Sequence, residues 1–450
     1  MDIGHRGHLK RTPAPYHHWC GAFRAFSYLL PLAILVTGTP ALGAIDHEAR
    51  SGQYLTVCGD PNNLPFSNQQ LEGFENKIAE LIAAGLDRPL HYRWWPQTVG
   101  FVRNTLQTRL CDLIMGINTV NDLVQNTNPY YRSVYTLVYR RDAGLNLHSL
   151  KDPAAKGLRI GVVAGTPPVS LLTRYDLLGQ TRSYERAVDT RLYAPARDAV
   201  EDVARGLLDL AVIWGPIAGD AARKQPVPLT LVPLPAEEDG IPLAFSISLG
   251  IRPRETAWKH ELNALLERLA PQILTILQSY AVPLLDMNDQ LIFDADGYRI
   301  DQFIASVPAT APGATTVNTG KVEALREQGH VTLIDVMPAP PKPAGLGPTD
   351  LWLPPPRLNI PGSVWLPNIG YGRLSDELTA YLQRHLERLT GGDHGHRLIV
   401  YCRADCWMSW NAAKRLAAAG YTAVYWYPDG VTGWEAAGLP LAVSRPVPPD

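Results

Sequence analysis

Near one end of the 450-residue chain lies Cys402-Arg-Ala-Asp-Cys-Trp-Met-Ser-Trp-Asn411, in which three residues separate two thiols. Neighbouring thiols can close and reopen a disulfide, with the thiolate as the attacking species. The apolar run Leu398–Tyr401 reads as a strand leading into this loop, and Trp410–Ala419 reads as the helix leaving it, with Ser409 as N-cap. A thiol placed where a helix begins meets unpaired N–H groups and the positive end of the dipole, which favour thiolate. Cys402 is therefore the expected nucleophile, Cys406 the resolving thiol and Arg403 the basic side chain of the loop. A structural disulfide is the bland alternative. Metal ligation is not expected, because His394 and His396 precede the strand whose far end carries Cys402, roughly 20 Å away at about 3.3 Å per residue. Trp407 follows Cys406 directly and is expected either in the core or exposed as an anchor for a partner protein.

Such thiols need a sheet and helices to hold them. From Thr319 the pattern reads helix Val322–Gln328, strand Val331–Val336, a Pro-rich excursion over 338–356, helix Glu377–Leu389, the strand and helix flanking the cysteines, and strand Ala423–Tyr427. Upstream, from Gln53 to about Leu285, short apolar strands alternate with amphipathic helices. Strands are predicted at Tyr54–Cys58, Leu90–Trp94, Asp112–Gly116, Thr136–Tyr139, Leu158–Val163, Leu210–Trp214, Leu229–Pro233 and Leu243–Ile251. Helices are predicted at Phe74–Gly85, Phe101–Thr108, Ser170–Leu178, Arg197–Gly206 and Ala257–Ser279. That order implies parallel sheets covered on both faces. Residues 287–320 lack periodicity and read as a connector laid over a surface. Cys58 and Cys111 fall at opposite ends of neighbouring parallel strands, about 13 Å apart at about 3.3 Å per residue, and are expected to stay separate buried thiols.

With 41 Lys+Arg against 43 Asp+Glu and 46% hydrophobic residues, the chain has no basic footprint for nucleic acid and enough apolar residues for sizeable cores. Residues 1–44 read as a signal peptide: Arg6, Lys10, Arg11 and Arg24 precede the short apolar run Ala25–Val36, and Ala41-Leu-Gly-Ala44 offers a cleavage site. No later stretch is long and apolar enough for a membrane span. Cleavage would discard Cys20 and leave Cys58, Cys111, Cys402 and Cys406 in an oxidising compartment.

The strand–helix order up to Leu285 resembles the two-lobed periplasmic solute-binding fold (type II-like), with the chain crossing between lobes near Arg140–Gly144 and Ala244–Ile251. This places lobe 1 at about 50–141 and 247–286 and lobe 2 at about 145–244, within a 45–286 module. The strings Cys58-Gly-Asp-Pro-Asn-Asn-Leu-Pro-Phe-Ser67, Gly73-Phe-Glu-Asn-Lys77, Trp94-Trp-Pro-Gln97 and Pro129-Tyr-Tyr-Arg-Ser133 resemble the quinoprotein-dehydrogenase-associated solute-binding-like proteins of the MxaJ/XoxJ group. Amino-acid binders of this fold carry an Arg after the Asp112–Gly116 strand, where this chain has Asn121-Asp-Leu-Val-Gln125, and an acid where this chain has Trp214. The resemblance therefore implies a cleft of aromatic and polar residues, Phe66, Trp95, Asn118, Thr119, Tyr131, Thr166 and Trp214. It leaves a small planar or uncharged ligand, a docking surface or no ligand as alternatives.

From 321 to 450, Leu333-Ile-Asp-Val336, Ile360-Pro-Gly362 and the closing Gly433-Trp434 and Gly438-Leu-Pro440 resemble a rhodanese-like α/β domain. The cysteine loop, with Trp352-Leu-Pro-Pro-Pro-Arg357, resembles the CXXCW-motif proteins of PQQ-dependent catabolism. Ordinary sulfurtransferase loops present more basic groups than Arg403 alone, and Asp405 is an acid, which disfavours thiosulfate turnover. The two resemblances imply an exported, periplasmic accessory protein for a PQQ-dependent methanol or alcohol dehydrogenase. No cofactor is expected on this chain, PQQ belonging to the partner enzyme. A sulfurtransferase or thiol–disulfide oxidoreductase and a transporter-linked solute receptor are the alternatives.

Overall fold

Runs such as Leu55-Thr-Val-Cys-Gly59 and Leu113-Ile-Met-Gly-Ile-Asn118 are apolar almost throughout, the pattern of strands covered on both faces, and both form strands. The structure, a computed structural model, describes residues 52–448 except 187, 295, 344, 346, 348–351 and 353. The expected signal peptide, 1–44, lies outside the described residues.

The first lobe contains β1 (Leu55–Gly59), α1 (Phe74–Gly85), β2 (Leu90–Trp94), α2 (Phe101–Asn104) and β3 (Leu113–Asn118). In α1 the residues Phe74, Ile78 and Ile82 form a buried stripe at helical spacing, and Asn76 at its third position accepts from the Gly73 and Asn68 amides. A Cβ at Gly73 would stand 2.0 Å from the Phe66 carbonyl, so only glycine can start this helix. The long strand β4 (Tyr131–Arg140) then enters the second lobe, which contains β5 (Ile160–Val163), α3 (Pro167–Arg174), β6 (Thr181–Tyr184), α4 (Pro195–Ala204), β7 (Leu210–Trp214), α5 (Gly215–Arg223) and β8 (Leu229–Pro233). Strand β9 (Ala244–Ile251) returns the chain, and α6 (Thr256–Ser279) packs against α1.

The strands run in the order β2-β1-β3-β9-β4-β7-β5-β6, with β8 also on β4. Pairing is parallel within each lobe and antiparallel along β9 and β4, so the sheet is mixed rather than purely parallel. The outward crossing lies inside β4: its residues Tyr131–Val134 pair with β9, and Tyr135–Val138 pair with β7. That is several residues before the expected Arg140–Gly144.

Cys58 and Cys111 form a disulfide with Cα atoms 5.5 Å apart, contrary to the expected pair of separate thiols. The register of the two strands accounts for the difference. Val57 is level with Leu113 and Cys58 with Ile114, so Cys58 is not at the far end from the start of β3. The chain also bends before β3, with Arg109 at φ 62°, and this folds Cys111 over the face that carries Cys58, Phe101 and Leu106.

The C-terminal domain contains β10 (Thr315–Thr316), α7 (Thr319–Gln328), β11 (Val331–Asp335), β12 (Val364–Trp365), α8 (Asp376–Thr390), β13 (Arg397–Tyr401), α9 (Trp407–Ala418), β14 (Val424–Tyr427) and α10 (Gly430–Ala436). Its parallel sheet runs β10-β14-β13-β11-β12. The connector is not a surface strap. Phe293, Arg299 and Ala311 are buried, and one apolar cluster runs continuously from Leu55, Phe74 and Trp258 through Phe293 and Ala311 to Trp407 and Trp410. The two modules share a core.

Candidate functional site

Strand β13 sits in the middle of its sheet, between β11 and β14, and delivers Cys402 at its end. The carbonyl of Cys402 accepts from the Val431 amide at 3.0 Å. A Cβ on Gly430 would come within 2.5 Å of that carbonyl oxygen, and Gly430 has φ 52°, so glycine is required where α10 meets the loop. Four residues on, Cys406 is the N-cap of α9. The helix therefore begins at Trp407 rather than Trp410, and Ser409 lies inside it, where its hydroxyl donates to the Cys406 carbonyl and accepts from the Trp426 indole.

The earlier start has a tertiary cause. Connector residues cross the loop: the Trp407 amide donates to the Phe303 carbonyl at 2.8 Å, and the Ala305 amide donates to the Asp405 carbonyl at 3.0 Å. Trp407 itself is fully buried, against Phe293 and Trp410, with the Arg299 guanidinium 4.8 Å from its ring centroid and its indole N–H bonded to the Ser306 carbonyl. It is a core residue and not an exposed docking anchor, because the connector occupies the surface it would have presented.

The two sulfurs are 2.6 Å apart, and Met337 Sδ is 3.4 Å from Cys402 Sγ. Both cysteines are buried. Their environments differ in sign. The hydrogen bond with Cys402 is the largest influence on Cys406 and, with the amides of Met408, Ser409 and Arg403, outweighs burial and brings its pKa down to about 7. The same hydrogen bond, burial, and the charges of Cys406 and Asp335 push Cys402 well above the ordinary thiol range. The amides of Met408, Ser409 and Arg403 at the start of α9 favour thiolate at Cys406, whereas the expectation from sequence put the helix end at Cys402. Arg403 contributes its backbone N–H to both sulfurs, and its side chain is exposed. Asp335, buried at the end of β11 and paired with Arg357, has its pKa raised to about 6 by burial. His394 stacks on Tyr421 and His396 bonds Thr332, so neither approaches the sulfurs through these contacts.

In the first module the lobes are joined by direct bonds. The Thr190 hydroxyl of lobe 2 donates to the buried Asp60 carboxylate of lobe 1 at 2.7 Å, and Asn62 Nδ2 donates to the Thr190 carbonyl at 2.8 Å. A cavity of about 220 Å³ lies beside this clasp. Of the seven residues expected in the cleft, Thr166 and Trp214 line it, with Tyr135, Arg186 and Arg197. Trp214 packs with Tyr135 and Phe245. The others are elsewhere: Phe66 and Tyr131 pack on Phe74, the Asn118 side chain accepts from the Val120 amide, Thr119 bonds β9 through its backbone, and Trp95 is 40% exposed.

Two acids escaped the sequence reading. Asp60 accepts from the Asn62 and Gln97 amides as well as from Thr190, and Glu75, enclosed against Gly116, has its pKa raised to about 8 by burial and then by Asp60. Their positions inside the quoted motifs, two residues after Cys58 and two after Gly73, are the signal that could have found them.

Residues 116–280 match the bacterial extracellular solute-binding protein family and residues 318–437 the rhodanese-like domain family. Protein MoxJ of Methylorubrum extorquens is 30% identical over 251 residues, covering 52% of this chain and 83% of that protein. The crystal structure of periplasmic binding protein XoxJ from Methylobacterium extorquens AM1 is 41% identical and covers 52% of this chain and 99% of that one, with TM-score 0.45. MxaJ from Methlophaga aminisulfidivorans MPT is 28% identical, covering 51% of this chain and 100% of that one, with TM-score 0.47.

Proposed function

Because this chain belongs to the MoxJ/XoxJ family of solute-binding proteins and carries a rhodanese-like domain behind that module, we propose that it is a periplasmic accessory protein of a PQQ-dependent methanol or alcohol dehydrogenase. In this reading the first module docks on the dehydrogenase, and the cysteine pair exchanges disulfides with it. The observation that carries the proposal is the pair itself: two buried sulfurs 2.6 Å apart, with Cys406 as the N-cap of α9. PQQ belongs to the partner enzyme.

In this reading Cys406, at the helix end, attacks and Cys402 resolves. The Cys406 thiolate attacks one sulfur of a partner disulfide, forming a mixed disulfide and releasing the other partner sulfur as thiolate. Cys402 then gives up its proton and attacks the Cys406 sulfur, which releases the second partner thiolate and leaves a Cys402–Cys406 disulfide. The partner is reduced by two electrons and the pair oxidised by two. Access requires residues 303–305 to move off the loop.

Cys402→Ser removes the resolving thiol and should trap the mixed disulfide. Expressed in the native host, this variant is expected to carry a disulfide-linked dehydrogenase subunit on non-reducing gels. No such adduct, together with unchanged dehydrogenase activity when the gene is deleted, would sink the proposal.

The rhodanese-like fold favours a second reading, a sulfurtransferase or thiol–disulfide oxidoreductase acting alone. It expects turnover of thiosulfate or a model disulfide by the purified protein, lost in Cys406→Ser. A transporter-linked receptor finds less support, since the Asp60–Thr190 clasp leaves about 220 Å³, below the roughly 300 Å³ at which ligand pockets usually begin.

A further inference from the structure

A second cavity, of about 540 Å³, lies where lobe 2, α6 and the C-terminal domain converge. It is separate from the lobe cleft and from the cysteine pair, and its volume is ordinary for a small-molecule site. Its walls are largely apolar: Val232 and Pro233 of β8, Val282 and Pro283 after α6, and Leu291 and Phe293 of the connector. Charged groups of both signs line it, Lys414 and Arg373 with Asp294 and Asp296. Lys414 of α9 and the exposed Arg373 both line the cavity, and neither forms an ion pair with a carboxylate among the described residues. Lys414 instead donates to the Asp296 carbonyl and lies 4.5 Å from the Tyr298 ring centroid and 5.5 Å from that of Trp410.

Asp294 and Asp296 both attract Lys414 without forming an ion pair with it among the described residues. Asp294 spends one carboxylate oxygen on the amides of Asp296 and Tyr298, and burial raises its pKa, while burial lowers that of Lys414. An ammonium held on aromatic faces and a backbone carbonyl, at the head of an apolar chamber, suits a carboxylate with a hydrophobic body.

We propose that this cavity binds an aromatic monocarboxylate of roughly 10–15 non-hydrogen atoms, its ring between the β8 and connector walls and its carboxylate on Lys414 and Arg373. Bound there it would touch lobe 2 and α9, the helix capped by Cys406, at the same time. The site stands independently of the dehydrogenase reading.

The test is calorimetric titration of the full mature chain with 2-naphthoate and with its uncharged counterpart 2-naphthalenemethanol. Saturable 1:1 binding of naphthoate is expected. Lys414→Gln should weaken naphthoate about tenfold and leave the alcohol within about twofold. Thr275→Trp, which fills the chamber from α6, should abolish both, with circular dichroism verifying that each variant is folded. Absence of saturable naphthoate binding, or binding that Thr275→Trp leaves intact, would overturn the site. Equal response of the acid and the alcohol to Lys414→Gln would overturn the carboxylate assignment.

Discussion

A cysteine's chemistry depends on which peptide N–H groups point at it, and here a shift of three residues in a helix start makes Cys406 the N-cap of α9. The loop, both cysteines and the preceding strand were legible in the sequence, because an apolar run ending at Tyr401 and a following amphipathic stretch are local signals. The helix start was not, since it depends on Phe303 and Ala305 from a segment about a hundred residues away. In the reduced protein, ultraviolet thiolate absorbance should titrate with a midpoint of about 7 for Cys406, and Cys402→Ala should move that midpoint upward by removing the first contributor to its depression. A midpoint unmoved by Cys402→Ala would refute the shared hydrogen bond. Glu75 has the opposite sign. Its folded pKa of about 8 lies above the 4.5 of a free carboxyl, so the native state holds a proton that the unfolded chain releases, and stability falls as pH rises between those values. Glu75→Gln should therefore raise the thermal midpoint by a few degrees at pH 8 and leave it nearly unchanged at pH 4. The comparison of the two melts decides it.

At the level of elements, strands Leu90–Trp94, Leu210–Trp214 and Leu229–Pro233 and helix Phe74–Gly85 were readable to both ends, since each has a clean apolar pattern bounded by Gly or Pro. Helix α5 was missed: Gly215-Pro-Ile-Ala-Gly219 looks like a turn, yet a Cβ at Gly219 would stand 2.0 Å from the Ala281 carbonyl, so the small residue is required for close packing. The disulfide was missed because register was not in the sequence. Replacing Cys58 and Cys111 together by Ala should cost about 2–4 kcal/mol in chemical denaturation, and a loss under about 0.5 kcal/mol would contradict a structural role. The connector stretch over the cysteine loop gives a further test. Ala305→Pro deletes the N–H that bonds Asp405 and should raise the rate at which maleimide labels the pair by about tenfold at neutral pH, whereas an unchanged rate would mean that this segment does not control access.

For the whole molecule, the sequence divided the chain into two modules and a linker, and each module's fold was legible from its own alternation of strands and helices. The joint between them was not, because Phe293, Arg299 and Ala311 sit in a stretch rich in Gly, Pro and Asp that has no periodicity to betray burial. There the Asn411 side chain closes a ring of bonds, accepting from the Arg299 amide and donating to the carbonyls of Arg299 and Gly370. Calorimetry should accordingly record one cooperative transition for the described region; two well-separated transitions would contradict a shared core. A gene divided at the connector would not yield two free-standing proteins. Each product would carry half of an apolar interior on its surface, and the pair is expected to be soluble only as an obligate heterodimer, so the connector turns what would be an equilibrium between two chains into a contact that the chain cannot dissolve.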